Sequence, residues 1–331
     1  MDLRQSQEFA EYLKSQGWTI EHTPGAVNHP GSGRMDSLAP IFIRKIPLTP
    51  FSIIKVQRPE KIDFAKINQL AKKYRALAIY LEPKFAVTPG VAAGTLPVWK
   101  NQGYHLSKSP YLPTKTIHLD LAQSEKQLLA QMKKDARYSL RKAQRSCKVV
   151  NNSPGVAEQR TKTPRGGGKN NLSTFHHAWK KSVSWQRHVP SQKSLISLKK
   201  SFGKNVIFLT ASYSDTPVYR SKGGEAKTRS PSPGVGHSIL AGTIILLTNT
   251  TAYYYYAFTS KKGRKKMAQY HLVWEAIKLV KKRGCQIFDF EGIYDPRFPI
   301  KTWQGFSHFK KSFGGKEVEY PGCFTKKRLP F

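Results

Sequence analysis

Apolar residues recur along the first 121 positions at spacings that predict alternating strands and helices. Apolar positions three and four apart predict helices, and short β-branched runs bounded by proline or glycine predict strands. Because the two kinds of element alternate, we expect an α/β (α+β) architecture of sheets and helices in layers. The elements predicted here are helices over 6–16 and 62–75 and strands over 41–46, 52–58, 76–82 and 114–121.

The second part of the chain begins with a predicted helix over 125–146. Ser124 and Gln127, three residues apart, form the capping box that opens it. Farther on, Pro190 interrupts a helical stretch, a β-hairpin follows, and Gly284 closes another helix. The elements predicted here are helices within 172–202 and over 268–283 and strands over 206–213, 239–248, 252–258 and 285–290.

Two stretches interrupt this pattern, at 151–171 and at about 214–237. Both are rich in Gly, Pro, Ser, Lys and Arg and contain almost no core residues. Such a composition predicts flexible basic insertions. The length of 331 residues leaves room for two domains of ordinary size.

The chain is strongly basic, with 56 Lys and Arg against 20 Asp and Glu and a net charge of +36. Since 39% of the residues are hydrophobic, we still expect packed cores. This charge favours polyanionic partners: RNA, DNA, anionic lipid head groups or substrates that carry pyrophosphate. Three cysteines without a CxxC pair and an N-terminus without a secretory signal predict a cytoplasmic protein, peripheral at most to the membrane's inner face.

A row of cations follows one side of the predicted helix 125–146. Lys133, Arg137, Arg141 and Arg145 recur every four residues, a spacing at which like charges repel. An anion against the row would relieve that repulsion. The row is therefore a candidate contact for tRNA or an anionic membrane, the alternative being a solvated basic face.

The strand 252–258 contains four consecutive tyrosines. Strand alternation predicts Tyr253 and Tyr255 on one face and Tyr254 and Tyr256 on the other. Two interpretations stay open: aromatic packing on the sheet, or a face that lines a substrate channel.

Five of the six residues in 261–266 are basic and precede the helix 268–283. Free N–H groups and the helix dipole make such a position attractive to phosphate. The chain has no HExxH, no P-loop and no histidines at metal-ligand spacing, so we expect no metal. Residues 239–290 resemble the core of the GNAT N-acyltransferases, but residues 264–268 lack the glycines of their coenzyme A signature.

Four segments resemble the FemA/FemB/FemX aminoacyltransferases, which build the interpeptide bridges of peptidoglycan. They follow one another in the family's order and together span nearly the whole chain. The segments are 3–9 (LRQSQEF), 135–143 (DARYSLRKA), 271–293 (ending in FDFEGI) and 305–315 (GFSHFKKSFGG) with 320–322 (YPG).

The resemblance implies two GNAT-like domains, residues 1–148 completed by about 316–331, and residues 149–315. It implies that an amino acid moves from aminoacyl-tRNA to the stem-peptide amine of a peptidoglycan precursor, linked to lipid or to UDP. Aminoacyl-tRNA is then a co-substrate, and no cofactor is expected. Two alternatives stay open: an acyl-CoA-dependent N-acyltransferase and a non-catalytic RNA-binding protein.

The resemblance also implies which residues act. Lys310 matches the family lysine that stabilises the oxyanion, with Phe309 beside it, and Lys311 competes if the register shifts by one. Position alone, at the C-terminal end of a strand, makes Asp289 or Glu291 a candidate to accept the amine's proton. The alternatives are that a substrate group accepts it and that the Asp is structural and caps a loop.

The remaining candidates would bind substrate. Arg264, Lys266 and Tyr270 would hold the acceptor's pyrophosphate at the helix start, with Arg58 assisting from the first domain, and one tyrosine face, Tyr254 and Tyr256, would line the channel.

Overall fold

The structure is a computed structural model that describes residues 2–23, 39–85, 98–153, 171–183, 187–213 and 239–328. The elements up to residue 151 are α1 (Gln7–Ser15), β1 (Thr19–His22), β2 (Pro40–Lys45), β3 (Ser52–Gln57), α2 (Phe64–Lys73), β4 (Ala76–Glu82), α3 (Val98–Asn101), β5 (His105–Leu106), β6 (Lys115–Asp120), α4 (Glu125–Gln131), α5 (Lys134–Ser146) and β7 (Cys147–Asn151). The later elements are α6 (Asn171–Ser182), α7 (Gln192–Phe202), β8 (Val206–Tyr213), β9 (Ile239–Leu247), β10 (Thr251–Thr259), α8 (Lys261–Lys265), α9 (Ala268–Lys282), β11 (Ile287–Asp289), α10 (Gln304–Lys311), β12 (Lys316–Glu319) and β13 (Phe324–Lys327).

The chain forms two compact units. Unit 1 comprises Met1–His118, Glu291–His308 and Lys316–Phe331, and unit 2 comprises Leu119–Phe290 and Phe309–Gly315. The first division thus falls inside β6 rather than at residue 148, the boundary expected from the sequence. Nothing in the local sequence marks these points, because β6 and α10 are continuous elements that each contribute residues to both units.

The sheet of unit 1 has six strands in the order β1-β2-β3-β4-β13-β5. α2 crosses over between β3 and β4, so these two are parallel, and the other neighbours are antiparallel. Ile54 and Ile79 of the sheet, Leu70 of α2 and Trp99 of α3 are almost fully buried in one core. Elsewhere in unit 1, β12 pairs antiparallel with residues 115–118 of β6.

The strands of unit 2 lie in the order β7-β8-β9-β10-β11. α9 connects β10 to β11, which are parallel, whereas the three other pairs are antiparallel. Leu272, Val273, Ala276 and Ile277 of α9 are fully buried. Their spacing of three and four residues is the apolar stripe that predicted this helix.

The predicted fold class is confirmed: the chain is α/β, with mixed sheets flanked by helices. Strands predicted over 76–82 and 206–213 are β4 and β8 with the same bounds, and the helix predicted over 268–283 is α9. The capping box at Ser124 is present, with both of its hydrogen bonds.

The single helix predicted over 125–146 is wrong, because two helices, α4 and α5, occupy this range. Met132 between them has extended backbone angles (φ −65°, ψ 144°). The N–H of Lys133 donates to the carbonyl of Ser312, 2.9 Å away, instead of to a carbonyl of the preceding turn. Arg137 Nη1 donates to the carbonyls of Ala130 and Met132. These hydrogen bonds satisfy carbonyl groups that have no partner within the helix at the C-terminal end of α4. A contact distant in sequence therefore ends the first helix.

The expectation that Tyr254 and Tyr256 share one face is also wrong. The register between β9 and β10 shifts between these residues, which is a β-bulge at Tyr255. A bulge adds one residue to a strand and breaks its alternation. The ring of Tyr254 lies 6.0 Å from that of Phe290, whereas the ring of Tyr256 lies 5.2 Å from that of Trp179 on α6.

The predicted insertions at 151–171 and 214–237 lie outside the described residues, apart from 151–153 and 171. In the described ranges no helix combines the length and the apolar character that a membrane crossing requires.

Candidate functional site

Lys310 is a buried cation near the C-terminal end of α10. Its exposed fraction is only 9%, whereas its neighbour Lys311 is exposed. Of the two lysines that the sequence left in competition, Lys310 is therefore the one that faces the interior. Residues 309–315 belong to unit 2, where Lys310 contacts Tyr254 of β10 and its neighbour Phe309 contacts Tyr270 of α9.

Tyr254 of β10 is the aromatic partner of Lys310. The ammonium Nζ lies 5.7 Å from the centre of the tyrosine ring, within the range of a cation–π interaction. Gln269 Nε2 donates to the Tyr254 hydroxyl (2.5 Å), and Thr259 donates to Gln269 Oε1 (2.8 Å). This chain of hydrogen bonds holds the ring in one orientation.

The Tyr254 hydroxyl remains protonated at neutral pH. Burial raises its pKa strongly above the ordinary value, and the hydrogen bond from Gln269 opposes this only in part. Tyr254 can therefore offer Lys310 the electron-rich face of a neutral ring, but no negative charge.

Aromatic rings enclose the region next to Lys310. The ring of Phe309 lies 4.9 Å from that of Tyr270 and 5.3 Å from that of Phe313, and Phe313 lies 5.4 Å from Phe290. The structure thus brings Phe309 and Tyr270, for which the sequence predicted different roles, into direct contact. Apolar walls lower the local dielectric and strengthen the field of a nearby ammonium group.

Asp289 ends β11, where it is buried (4% exposed) and in register with Tyr253. The rings of Phe288 and Phe290, on either side of it in sequence, lie 6.3 and 6.0 Å from that of Tyr254. Since successive side chains of a strand alternate, Asp289 belongs to the face of Tyr253 rather than to that of Tyr254. By this alternation, the Asp289 carboxylate and the Tyr254 ring lie on opposite faces of the sheet.

Glu291, the alternative acid, lies in unit 1 and is paired there. Arg4 donates to both of its carboxylate oxygens, at 2.8 and 2.6 Å, in a bidentate pair whose side chains are 8% and 11% exposed. Glu291 also has a left-handed backbone conformation, with φ at 62°. This pair connects residues 4 and 291 within unit 1.

The predicted phosphate-binding residues lie on α8 and at the start of α9. Arg264 is exposed and donates to the carbonyl of Thr259 (2.9 Å), and Lys266 Nζ lies 5.8 Å from the ring of Tyr213. α8 packs closely on β9 because Gly263 has no side chain: a Cβ there would lie 2.1 Å from the carbonyl oxygen of Leu240.

Arg58, the candidate from the first domain, is buried in unit 1 at 3% exposure. Its guanidinium donates to the carbonyls of Pro83 and Pro113, and its Cζ lies 3.5 Å from the ring centre of Tyr320. Burial lowers its pKa. These contacts link three segments of unit 1, which is a structural role that the sequence did not predict.

The cations of the predicted row differ in their surroundings. Lys133 is exposed just before α5, and Arg137 is half-buried against the end of α4. Arg141 and Arg145 are exposed. The row is therefore divided between helix-capping and solvent-facing positions.

Two features, one in each unit, were not found from the sequence. Gln269, a polar residue one turn before Leu272 and Val273 on the buried stripe of α9, orients Tyr254. In unit 1, a cleft lies next to Asp295, which accepts from Thr114 (2.6 Å) and Arg297 (2.8 Å). A buried polar residue within an apolar stripe was the available signal for Gln269, whereas nothing local marks the cleft.

Among the described residues there is no cluster of His, Cys, Asp or Glu that could hold a metal ion.

The fold of this chain is similar to the folds of known proteins. The structure is similar to that of FemX, with a TM-score of 0.71 and 16% identity over 99% of this chain and 92% of FemX. It is also similar to L-PGS from Bacillus licheniformis (TM-score 0.56, 10% identity, 99% and 94% covered). A third similar structure is the C-terminal domain (DUF2156) of an Agrobacterium fabrum protein assigned as a lysylphosphatidylglycerol synthetase (TM-score 0.52, 13% identity, 99% and 89% covered).

No curated protein sequence matches the chain. Residues 221–331 match the FemAB family, and this segment includes β10, α9, β11 and α10, the elements that surround Lys310. The resemblance to the FemA/FemB/FemX group is thereby confirmed: the C-terminal third of this chain matches the FemAB family in sequence, and the whole chain has the fold of FemX.

Proposed function

We propose that this protein is an aminoacyltransferase that moves an amino acid from aminoacyl-tRNA to the stem-peptide amine of a peptidoglycan precursor. The observation that carries the proposal is the buried Lys310 against the ring of Tyr254, within the segment that matches the FemAB family. The FemX-like fold supports the same class of reaction.

In this reaction the amine attacks the ester carbonyl that joins the amino acid to the 3′ ribose of the tRNA. The C–N bond forms, the carbonyl electrons move to oxygen, and the tetrahedral centre then expels the ribose oxygen, which leaves as a hydroxyl with a proton from the amine. The developing oxyanion is the charge that a fixed cation can stabilise. The Lys310 ammonium supplies this cation, and the aromatic walls reduce the screening of its field.

The residues on α8 and α9 contribute binding. Arg264 is exposed and Lys266 is half-buried, and both lie just before α9, a suitable position for the pyrophosphate of the acceptor. Tyr270 keeps Phe309 in place by ring contact. The alternation of β11 leaves Asp289 a poor proton acceptor for chemistry beside Lys310, so a substrate group takes that role in our proposal.

The decisive assay incubates the purified protein with a mixture of aminoacyl-tRNAs and a lipid- or UDP-linked precursor. Mass spectrometry then detects the amino acid added to the acceptor. We expect Lys310→Met, which preserves volume and removes the charge, to lower the rate about 100- to 1,000-fold. Lys311→Met, at the exposed neighbour, is the matched control and should stay within about threefold of the wild type.

Other outcomes would contradict the proposal. Equal rates for Lys310→Met and the wild type would remove the oxyanion role. Transfer to phosphatidylglycerol but not to the precursor would replace the acceptor with a lipid, and acylation from acetyl coenzyme A alone would replace the donor.

A further inference from the structure

One face of α5 combines exposed cations with an exposed aromatic ring. Each residue turns an α-helix by about 100°, so residues 134, 138, 141, 142 and 145 lie within a sector about 100° wide around the helix axis. The buried Ala136, Leu140 and Ala143 lie on the opposite side of the helix. Tyr138 lies near the middle of this sector, with 61% of its surface exposed. We name the set the α5 face; it consists of Lys134, Tyr138, Arg141, Lys142 and Arg145.

The cations of the α5 face are not neutralised within the part of the chain that the structure describes. None of the four forms an ion pair or a side-chain hydrogen bond there. Other surface cations do: Lys73 lies 2.8 Å from Glu21, Lys115 lies 2.8 Å from Glu317, and Lys278 lies 2.8 Å from Glu275. Within the described residues, no protein group therefore balances the positive charge of this face.

The positive surface continues beyond the end of α5. Cys147, the next residue, pairs in register with Tyr213, and Lys266 Nζ lies 5.8 Å from the Tyr213 ring. The charge of Lys266 also acts on the Cys147 thiol, whose pKa burial nevertheless raises. Lys266, the last residue of the basic segment 261–266, thus lies near the residues that follow the α5 face in unit 2.

We propose that the α5 face docks unpaired RNA, with one base stacked on Tyr138 and the neighbouring phosphates on Arg141, Lys142 and Arg145. Stacking on an aromatic ring within a positive groove is how proteins bind single strands without reading their sequence. Arginine guanidinium groups match phosphate geometry and also stack on bases. This inference rests on the proposed function, since the natural RNA would be the unpaired end of the aminoacyl-tRNA donor.

A membrane surface fits the same face less well. A helix that lies in a membrane interface needs an apolar stripe that enters the lipid. The exposed residues of α5 include a single apolar ring, Tyr138, among charged and amide groups. The composition of the α5 face therefore favours a nucleic acid over a lipid bilayer.

The test measures binding without catalysis. Fluorescence anisotropy follows the full-length protein with a labelled 12-nucleotide single-stranded RNA, the corresponding duplex, and unacylated tRNA. We expect Tyr138→Ala to weaken single-strand binding about tenfold, and Tyr138→Phe, which keeps the ring, to bind like the wild type. The triple change Arg141→Gln, Lys142→Gln and Arg145→Gln should lower the slope of log affinity against log salt by about 2.

α7 offers a matched control on the same unit. Ile196 is 52% exposed there, with exposed lysines three and four residues away. Ile196→Ala and the triple change Lys193→Gln, Lys199→Gln and Lys200→Gln remove similar area and the same charge. Near-wild-type binding by these variants supports the α5 face, whereas equal losses from α5 and α7 would overturn it as a specific site.

Two further outcomes separate this inference from the proposed function. The first outcome is that the α5 variants lose binding to phosphatidylglycerol vesicles but bind RNA as well as the wild type does. That result would overturn RNA docking in favour of a membrane. Lys310→Met should bind RNA like the wild type. If the wild type transfers no amino acid and yet RNA binding depends on Tyr138, docking stands and the proposed function fails.

Discussion

The two units of this protein handle positive charge in different ways. Unit 1 carries 22 Lys and Arg against 12 Asp and Glu, a net charge of +10, whereas unit 2 carries 34 against 8, a net charge of +26. In unit 1 the buried arginines have protein partners: Arg4 pairs with Glu291, and Arg58 donates to two carbonyls. In unit 2 the α5 face has no such partners among the described residues.

The difference shows what each set of cations does. A buried cation that is paired with a carboxylate holds two segments together, and its charge is largely cancelled at a distance. Exposed cations without partners add little to folding, but their summed field attracts a polyanion. The buried arginines of unit 1 therefore serve structure, whereas the cations of the α5 face are placed to attract a polyanion.

Replacing Glu291 by alanine should have the largest effect on stability. The change leaves Arg4, whose side chain is only 8% exposed, without its bidentate partner. Removing one partner of a buried pair costs about 3–5 kcal/mol when an uncompensated charge stays buried. Because Asp2 remains 3.9 Å from Arg4, we expect a loss near the lower end of this range. Urea denaturation followed by tryptophan fluorescence measures the loss.

The matched change is Glu60→Ala, which removes the partner of Lys84 at a mostly exposed position. It should cost no more than about 1 kcal/mol. Equal losses in the two variants would contradict the view that the Arg4–Glu291 pair is structural.

A smaller effect should appear at Asp295, and it depends on pH. Burial alone would raise the pKa of Asp295, but hydrogen bonds from Arg297 and Thr114 outweigh it and lower the pKa. A carboxylate with a lowered pKa stabilises the fold above its unfolded pKa, about 3.9, and loses this contribution as pH falls through the folded pKa. Asp295→Asn should therefore cost about 1 kcal/mol at pH 7.

Urea titrations between pH 7 and pH 2.5 test this sign. The difference between the wild type and Asp295→Asn should close as the pH falls, because the wild-type carboxyl then becomes neutral too. A difference that is constant over this range would show that packing, rather than charge, sets the role of Asp295.

The smallest effect, with the opposite sign, should occur on α5. Arg141 lies four residues from both Arg137 and Arg145, so Arg141→Gln should stabilise the protein by about 0.2–0.5 kcal/mol for each repulsion removed. Thermal denaturation at low salt measures the gain, which 0.5 M NaCl should abolish. Lys193→Gln on α7, where no cation lies three or four residues away, should show no gain. Destabilisation by Arg141→Gln would indicate a protein partner for that arginine.

The local sequence was enough to predict the helices and strands whose apolar patterns and end signals lie within or next to the element itself. β4 is a run of apolar residues that ends before Pro83, and α9 combines an apolar stripe with Gly284, whose φ of 82° suits the residue after a helix. The candidate Lys310 came from the motif around it. These signals act over a few residues, so the chain displays them before it folds.

Other features depended on residues far apart in sequence. The break between α4 and α5 involves the carbonyl of Ser312, and the separation of Tyr254 from Tyr256 depends on a bulge in pairing with β9. Gln269 orients Tyr254 through a contact that no periodicity encodes. Register and long-range hydrogen bonds are properties of the assembled sheet, so a local pattern could not predict them.

The sequence by itself determined the α/β class, the excess of positive charge and the family resemblance, because composition, periodicity and motifs are local properties. Only the tertiary structure decided that Lys310 rather than Lys311 is buried, that Arg58 is bound by carbonyls, and that Tyr138 stands exposed among cations without a partner in the described ranges. Burial and pairing depend on which distant residues meet, and that is settled only when the chain packs.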